Sequence, residues 1–161
     1  MTKKNIIFFF FFIISSLFSK EVDYLSLGLG CHNILREKYR TAEFSIEYQS
    51  HRCLWKIHPF LGVMITARKS LYTYLGVGVD LLYKNHLLFS PNFSAGYYYK
   101  GNGRDLGYPL EFRSGIKLGW CFENLSRVGI QFYHISNASL SHRNPGSESL
   151  VLFYSIPLKI Y

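Results

Sequence analysis

A period of two in hydrophobicity recurs along almost the whole chain and limits the folds that the sequence can adopt. In residues 110–120, apolar residues and one serine occupy every second position, and charged residues or glycine occupy the positions between them. Alternate residues of a β-strand point to opposite faces of the sheet, so this pattern predicts a strand with two different faces. About eight such stretches occur, separated by short polar or glycine-containing segments. The sequence therefore predicts an all-β fold.

The composition of the two faces decides between a soluble and a membrane barrel. A soluble, lipocalin-like barrel would place the bulky apolar face inside, where eight strands leave little room for it. Glycines on a face in water would also weaken the strands. The opposite arrangement places these charged residues inside: Glu43, Glu47, Asp80, Glu111, Arg113, Lys117 and Lys159. Apolar residues then face lipid, which predicts an eight-stranded antiparallel transmembrane β-barrel of the outer-membrane type.

The N-terminal segment does not follow the strand pattern. Lys3 and Lys4 precede an apolar run over residues 6–14, and serines follow at positions 15, 16 and 19. A positive segment, a short apolar core and small residues are typical of a secretory signal peptide, and the run is too short to span a membrane as a helix. We predict a signal peptide over residues 1–19 and a barrel domain over residues 20–161, located in the bacterial outer membrane.

The charge balance and the cysteines exclude several functions. The chain has a net charge of +8. In an exported protein, this charge indicates anionic surfaces such as lipid phosphates and argues against nucleic acid. Cys31, Cys53 and Cys121 are an odd set without metal-ligand spacing, so the sequence predicts neither a metal site nor a disulfide framework. It leaves open whether Cys53 and Cys121 pair.

An even number of strands with both termini in the periplasm fixes which loops face outside. The connections near residues 31–41, 67–70, 100–107 and 137–147 are then extracellular, and the turns near 50–52, 84–85 and 123–125 are periplasmic. Pro59, Pro91 and Pro157 fall inside predicted strands, although a closed barrel has no edge strand. We expect bulges or strand ends at these prolines.

Polar residues interrupt a lipid-facing surface in the last hairpin. In the seventh predicted strand the apolar face ends with His134 and Ser136, and the same face of the eighth strand begins with Glu148. Alternate residues share a face and paired strands are neighbours, so the three side chains lie together at the extracellular end. A hydroxyl, an imidazole and a carboxylate are the components of a serine hydrolase. Interfacial polar residues also commonly just meet headgroups and water, so the spacing alone leaves both interpretations open.

The stretch FYHISNASLSHRNPGSE, followed by SLVLFYSIPL, resembles the active-site hairpin of the PagL family, which are outer-membrane lipid A 3-O-deacylases. The close resemblance covers about the last thirty residues. It implies that Ser136 is the nucleophile, His134 the base and Glu148 the group that orients His134. It also implies that Asn137 and Asn144 support the oxyanion, together with backbone N–H groups of the turn.

The loop after Asn137 departs from the pattern that we expect of this family. A glycine is expected there, whereas this chain has Ala138 and Ser139. A backbone donor survives the change, but the conformation of the loop is not fixed by the resemblance.

The resemblance implies an ester hydrolase that removes a 3-O-linked acyl chain from lipid A in the outer leaflet. Its partners would be lipopolysaccharide and the outer membrane, with no cofactor, metal or nucleic acid; a homodimer is left open. Three alternatives remain: a noncatalytic small barrel with a structural or adhesin-like role, a secreted lipocalin-like carrier, and an acyl hydrolase of other lipids. Several cations of the predicted outer loops could hold lipid A phosphates or be ordinary solvated charge: Arg36, Lys38, Arg40, Lys100, Arg104 and Arg143.

Overall fold

The computed structural model describes residues 22–52, 57–84 and 86–160, with the side chains of residues 159 and 160 outside the described set. The predicted signal peptide and Cys53 lie outside the described residues. In chain order the strands are β1 (Val22–His32), β2 (Thr41–Gln49), β3 (Ile57–Thr66), β4 (Leu71–Val79), β5 (Leu81–Tyr83), β6 (Leu87–Tyr99), β7 (Leu110–Cys121), β8 (Arg127–Ser136) and β9 (Ser147–Ile160). The described residues contain no helix that is long and apolar enough to cross a membrane.

The strands form one closed antiparallel sheet. Strands that follow one another along the chain pair with each other, except that β4 and β5 both pair with β6, and β1 pairs with β9 to close the barrel. The β4–β6 register reaches Gly78 opposite Asn92, and the β5–β6 register resumes at Leu81 opposite Phe89. Because the two registers are continuous, β4 and β5 are one strand of the wall, interrupted near Asp80. The prediction of an eight-stranded antiparallel barrel is therefore confirmed.

Pro91 gives a physical reason for this interruption. Proline has no N–H to donate to a ladder. On one side of β6, Pro91 is paired with Ile116 of β7. On the other side, the pairing of β6 with β4 ends at Asn92, and its pairing with β5 begins only at Phe89.

The other two strand prolines also lie where a ladder is irregular or ends. Pro157 is opposite Tyr24, next to a register shift in the β1–β9 pairing. Pro59 lies where β2 ends, and its carbonyl accepts a hydrogen bond from the N–H of Ser50 at 3.0 Å. Each proline therefore costs the barrel little backbone pairing.

Large apolar side chains cover the outer face of the barrel. Leu29, Leu75 and Leu152 are 64–65% exposed, and similar side chains occupy the outer positions of the other strands. A continuous apolar surface of this kind would be unfavourable in water and is the surface that outer-membrane barrels present to lipid. The apolar faces thus point outward as predicted, which excludes the lipocalin-like arrangement.

The barrel interior is filled by polar side chains that neutralise one another. The carboxylate of Glu47 accepts hydrogen bonds from Arg113 Nη2 at 2.9 Å and from Lys117 Nζ at 2.5 Å, and all three side chains are buried. Tyr74 donates a further hydrogen bond to Glu47 Oε2 at 3.1 Å. These contacts join β2 to β4 and β7 across the interior.

A second interior cluster surrounds Asp80. Arg127 Nη1 lies 2.6 Å from one carboxylate oxygen, and His58 Nε2 lies 3.0 Å from the other. Asp80 was predicted to lie inside, whereas Arg127 was not among the predicted interior residues. Glu111 is inside as predicted, and among the described side chains none pairs with its carboxylate. The side chain of Lys159 lies outside the described set.

We predict that Glu47→Gln destabilises the barrel by about 3 kcal/mol, because Arg113 and Lys117 then keep their charges in the interior without a carboxylate. Urea-induced unfolding in lipid, followed by intrinsic tryptophan fluorescence, would measure this loss. Glu123→Gln, in an exposed turn, is the matched control and should change the stability by less than about 0.5 kcal/mol. Equal stability of Glu47→Gln and the parent would contradict the prediction.

Candidate functional site

The candidate site lies at the end of β8 and the beginning of β9. His134 and Glu148 are direct cross-strand partners. The imidazole Nδ1 lies 3.0 Å from Glu148 Oε1, so Nδ1–H donates a hydrogen bond to the carboxylate. The side chain of His134 is 42% exposed and that of Glu148 only 14%. This arrangement fixes one tautomer and leaves Nε2 as the ring nitrogen that can accept a proton.

Ser136 shares the outer face of β8 with His134, about 7 Å further along the strand. Its neighbour on β7 is Phe112. In the described residues no hydrogen bond joins Ser136 to His134, so the structure joins His134 to Glu148 and places Ser136 beside this pair. Hydrogen bonds of catalytic groups are often formed only when substrate binds, so this spacing is compatible with a nucleophile and its base.

Asn137 holds the loop that follows Ser136. Its side chain is buried, and Nδ2 donates hydrogen bonds to the carbonyls of Leu106 and Arg143, both at 2.9 Å. Both amide hydrogens are therefore used within the protein. The backbone N–H of Asn137 donates to Asn144 Oδ1 at 3.1 Å. Asn137 thus supports the loop. Because Asn144 uses Oδ1 to accept from the Asn137 N–H, its own Nδ2 is not part of this hydrogen bond.

Ala138 and Ser139 adopt the backbone conformation for which a glycine was expected. Their φ angles are 50° and 65°, in the left-handed region that side chains with a Cβ disfavour. The backbone of the loop therefore adopts the conformation that glycine would favour, and Ala138 and Ser139 are locally strained.

Gly146 contacts the candidate site, a role that its sequence context does not indicate. Its φ is +58°, and a Cβ added there would lie 2.5 Å from His134 Cε1 and 3.1 Å from Nε2. The turn backbone therefore packs directly against the imidazole, and only glycine allows this approach. The N-P-G sequence predicted a turn, but no local pattern indicates which side chain the turn contacts.

Two arginines from other loops hold this turn. Arg36 Nη1 donates to the carbonyl of Pro145 at 2.7 Å, and Arg104 Nη2 donates to the same carbonyl at 3.3 Å. Arg104 Nη1 also bonds to Asn33 Oδ1 at 2.8 Å. Burial lowers the pKa of Arg104, and the nearby charge of Arg36 lowers it further. The turn before Glu148 is thus fixed by the loops that follow β1 and β6.

The remaining loop cations have different neighbours. Lys100 and Arg143 lie 3.2 and 3.7 Å from Asp105, and Lys38 lies over the ring of Tyr39. The pKa of Asp105 is lowered by the backbone N–H of Gly107 and by Lys100. In the described residues, no group of three His, Cys, Asp or Glu side chains could hold a metal ion.

We predict that Ser139→Gly stabilises the protein by about 1 kcal/mol, because glycine adopts a positive φ without the clash of a Cβ. The measurement is urea-induced unfolding in lipid of parent and variant. Ser141→Gly, in the same loop but without a positive φ, is the control and should give no gain. A destabilised Ser139→Gly protein would show that the hydroxyl matters more than the backbone strain.

The fold is shared with solved membrane barrels. The crystal structure of the outer membrane enzyme PagL superposes with a TM-score of 0.65 at 22% identity, covering 84% of this chain and 99% of that one. A designed transmembrane β-barrel superposes with a TM-score of 0.57 at 10% identity, covering 88% and 98%. At these identities the similarity establishes the fold.

Sequence comparison assigns the family. Lipid A deacylase PagL of Pseudomonas aeruginosa is 44% identical over 55 residues, which are 34% of this chain and 32% of that protein. The matched segment thus spans about a third of that relative. The family model of PagL, described as lipid A 3-O-deacylase, matches residues 54–157, most of the chain. With the apolar outer belt, these matches confirm the predicted outer-membrane location, and the chain belongs to the PagL family.

Proposed function

We propose that this protein is an outer-membrane esterase that removes the 3-O-linked acyl chain from lipid A. The observation that carries the proposal is the hydrogen bond between His134 and Glu148, beside Ser136 on the lipid-facing wall. The description of the family and the name of the Pseudomonas relative give the substrate class. A carboxylate, an imidazole and a hydroxyl in this order are the parts that ester hydrolysis by a serine needs.

In the proposed mechanism, Glu148 orients His134 and stabilises the imidazolium that forms. His134 Nε2 takes the proton of Ser136 as Oγ bonds to the ester carbonyl carbon. The tetrahedral intermediate then breaks the bond to the sugar oxygen, which receives that proton from His134. Water, deprotonated by His134, attacks the acyl-enzyme, and the fatty acid leaves as Ser136 recovers its proton.

The oxyanion requires donors on the loop after Ser136. Asn144 Nδ2 is one candidate, because its Oδ1 is engaged by the backbone of Asn137. The backbone N–H groups of Ala138 and Ser139 are the others, since the left-handed conformation changes the direction of successive N–H groups. Asn137 itself acts through the loop that it ties to Leu106, rather than as a donor to substrate.

The position of the site suits a substrate that stays in the membrane. Phe132 and Leu150, next to the pair along the outer face, are exposed apolar side chains that an acyl chain can contact. The polar loops lie beyond the strand ends, where the sugar headgroup of lipid A meets water. Nothing in the described residues or in the comparisons supports the homodimer that the sequence left open, and this mechanism does not need one.

We predict that Ser136→Ala abolishes deacylation, with a fall in kcat of at least about 10⁴-fold, because the hydroxyl that forms the acyl-enzyme is gone. Purified protein in vesicles would be incubated with lipid A, and mass spectrometry would follow the loss of one ester-linked acyl chain.

The matched control is Ser114→Ala. Ser114 is the neighbour of His134 on β7 and carries another exposed hydroxyl on the same wall. Its removal should leave the rate within about threefold of the parent. Loss of activity in Ser114→Ala but not in Ser136→Ala would reassign the nucleophile. Fatty-acid release from phospholipid but not from lipid A would overturn the substrate class, and no release from either would identify a noncatalytic barrel.

We predict that Gly146→Ala lowers kcat by about 10²-fold, because the added methyl group displaces the ring of His134 by a few tenths of an ångström or more. Kinetics on lipid A at saturating substrate would measure the change. Pro145→Ala is the control, since it keeps the carbonyl that the arginines bind and adds nothing near His134. Equal loss in both variants would indicate that the turn as a whole, rather than its contact with His134, is responsible.

A further inference from the structure

The inner face of the wall behind the site carries its own hydrogen-bonded group. Tyr133 and Ser149 are cross-strand partners, one position away from the partners His134 and Glu148. Because side chains alternate, Tyr133 and Ser149 point into the barrel at the level where His134 and Glu148 point outward. Glu43 of β2 accepts a hydrogen bond from Tyr133 Oη at 2.6 Å and from Ser149 Oγ at 2.7 Å.

Glu43 has surroundings different from those of the other interior carboxylates. Glu47 and Asp80 are each paired with an arginine, whereas the ion-pair partner of Glu43 in the described residues is His32, with Nδ1 at 3.5 Å. Glu43 is 1% exposed, and its two oxygens accept from hydroxyls on two neighbouring strands. Its carboxylate therefore links β8 to β9 rather than neutralising a cation.

His32 contacts the residues on both sides of Glu148 in the chain, Ser147 and Ser149. Its Nδ1 lies 3.0 Å from Ser149 Oγ, and its Nε2 lies 3.2 Å from Ser147 Oγ. With the Nδ1–H tautomer, His32 donates to Ser149 and Ser149 donates to Glu43, while Ser147 Oγ lies within hydrogen-bond distance of both His32 Nε2 and Asn33 Oδ1. The residues before and after Glu148 are thus both held from inside the barrel.

This inner group contains a serine, a histidine and a glutamate, as the outer site does. It is nevertheless closed to substrate: Ser147 and Ser149 are 0% exposed and His32 is 1% exposed. We therefore expect this inner group to affect the relative position of the strands in the wall and not to bind a ligand.

We propose that Glu43 is a positioning residue for the reaction, fixing β8 against β9 from inside at the point where His134 meets Glu148 outside. The inference rests on the proposed function, because it assigns Glu43 a part in keeping the His134 Nδ1 to Glu148 Oε1 hydrogen bond. Tyr133 and Ser149 connect Glu43 to this hydrogen bond, because Tyr133 is next to His134 in the chain and Ser149 is next to Glu148. A shift of one strand against the other would lengthen that hydrogen bond and free the imidazole to turn.

The first test removes the two hydroxyls that Glu43 binds while keeping Glu43 and the aromatic ring. The double variant Tyr133→Phe, Ser149→Ala should lower kcat on lipid A about tenfold with KM unchanged. In a Glu148→Ala background the same two substitutions should change kcat by less than about twofold, because the hydrogen bond that they perturb is already absent. Equal fold-changes in both backgrounds would show a general structural effect and overturn the inference.

The matched control is Ser155→Ala, on the same strand and the same inner face. Ser155 Oγ makes one buried hydrogen bond, at 2.7 Å to Ser26 Oγ, away from the site. Its kcat should stay within about twofold of the parent. A loss as large as that of the double variant would overturn the inference, because any buried hydroxyl of the wall would then have the same effect.

The second test does not depend on activity. In micelles containing nitrogen-15 histidine-labelled protein, nuclear magnetic resonance can follow solvent exchange of the His134 Nδ1–H proton. Faster exchange in the Tyr133→Phe, Ser149→Ala protein, but not in Ser155→Ala, is the expected result. Unchanged exchange would overturn the positioning role even if lipid A is hydrolysed, whereas failure of the wild type to act on lipid A would overturn the proposed function alone.

Discussion

Lipid offers no hydrogen bond to a peptide group, and this constraint governs the whole structure. Every strand must pair on both sides, so the sheet closes by the pairing of β1 with β9. Closure gives each strand one face toward lipid and one toward a narrow interior, which produces the period of two in the sequence. Polar side chains on the outer face then require a reason, and His134 and Glu148 stand at the strand ends where the apolar belt stops.

The same constraint gives buried carboxylates two different uses inside the barrel. Glu47 is surrounded by Arg113 and Lys117, so it neutralises charge and joins distant parts of the wall. Glu43 instead collects hydroxyl donors from Tyr133 and Ser149, which lie directly behind the outer pair. A small barrel has no second layer of structure to support an active site. Among the described residues, interior side chains such as Tyr133 and Ser149 lie at the back of the wall, and in our proposal they serve as that layer.

The parts of this structure that periodicity encodes could be predicted from the sequence, and those that depend on contacts between distant loops could not. Alternation fixed the faces of the strands and so placed His134 and Glu148 together outside. Strand prolines were recognised as irregularities, but the link between Pro91 and the interruption near Asp80 needed the register. The contact of Gly146 with His134 depends on the path of a turn. Arg104 reaches that turn from 41 residues away, a relation that no local pattern records.

The position of the candidate site suits two opposite requirements that the proposed ester hydrolysis has in a membrane. The acyl chain is soluble only in the apolar layer, whereas the water that completes the reaction and the sugar that leaves belong to the polar layer. A site within the belt would lack water, and a site on the loops would have to extract the ester from lipid. At the end of β8, His134 keeps 42% of its side chain exposed while Glu148 keeps only 14%. In the proposed mechanism, substrate and water can thus reach the base, and the hydrogen bond that orients it is shielded from the solvent that would weaken it.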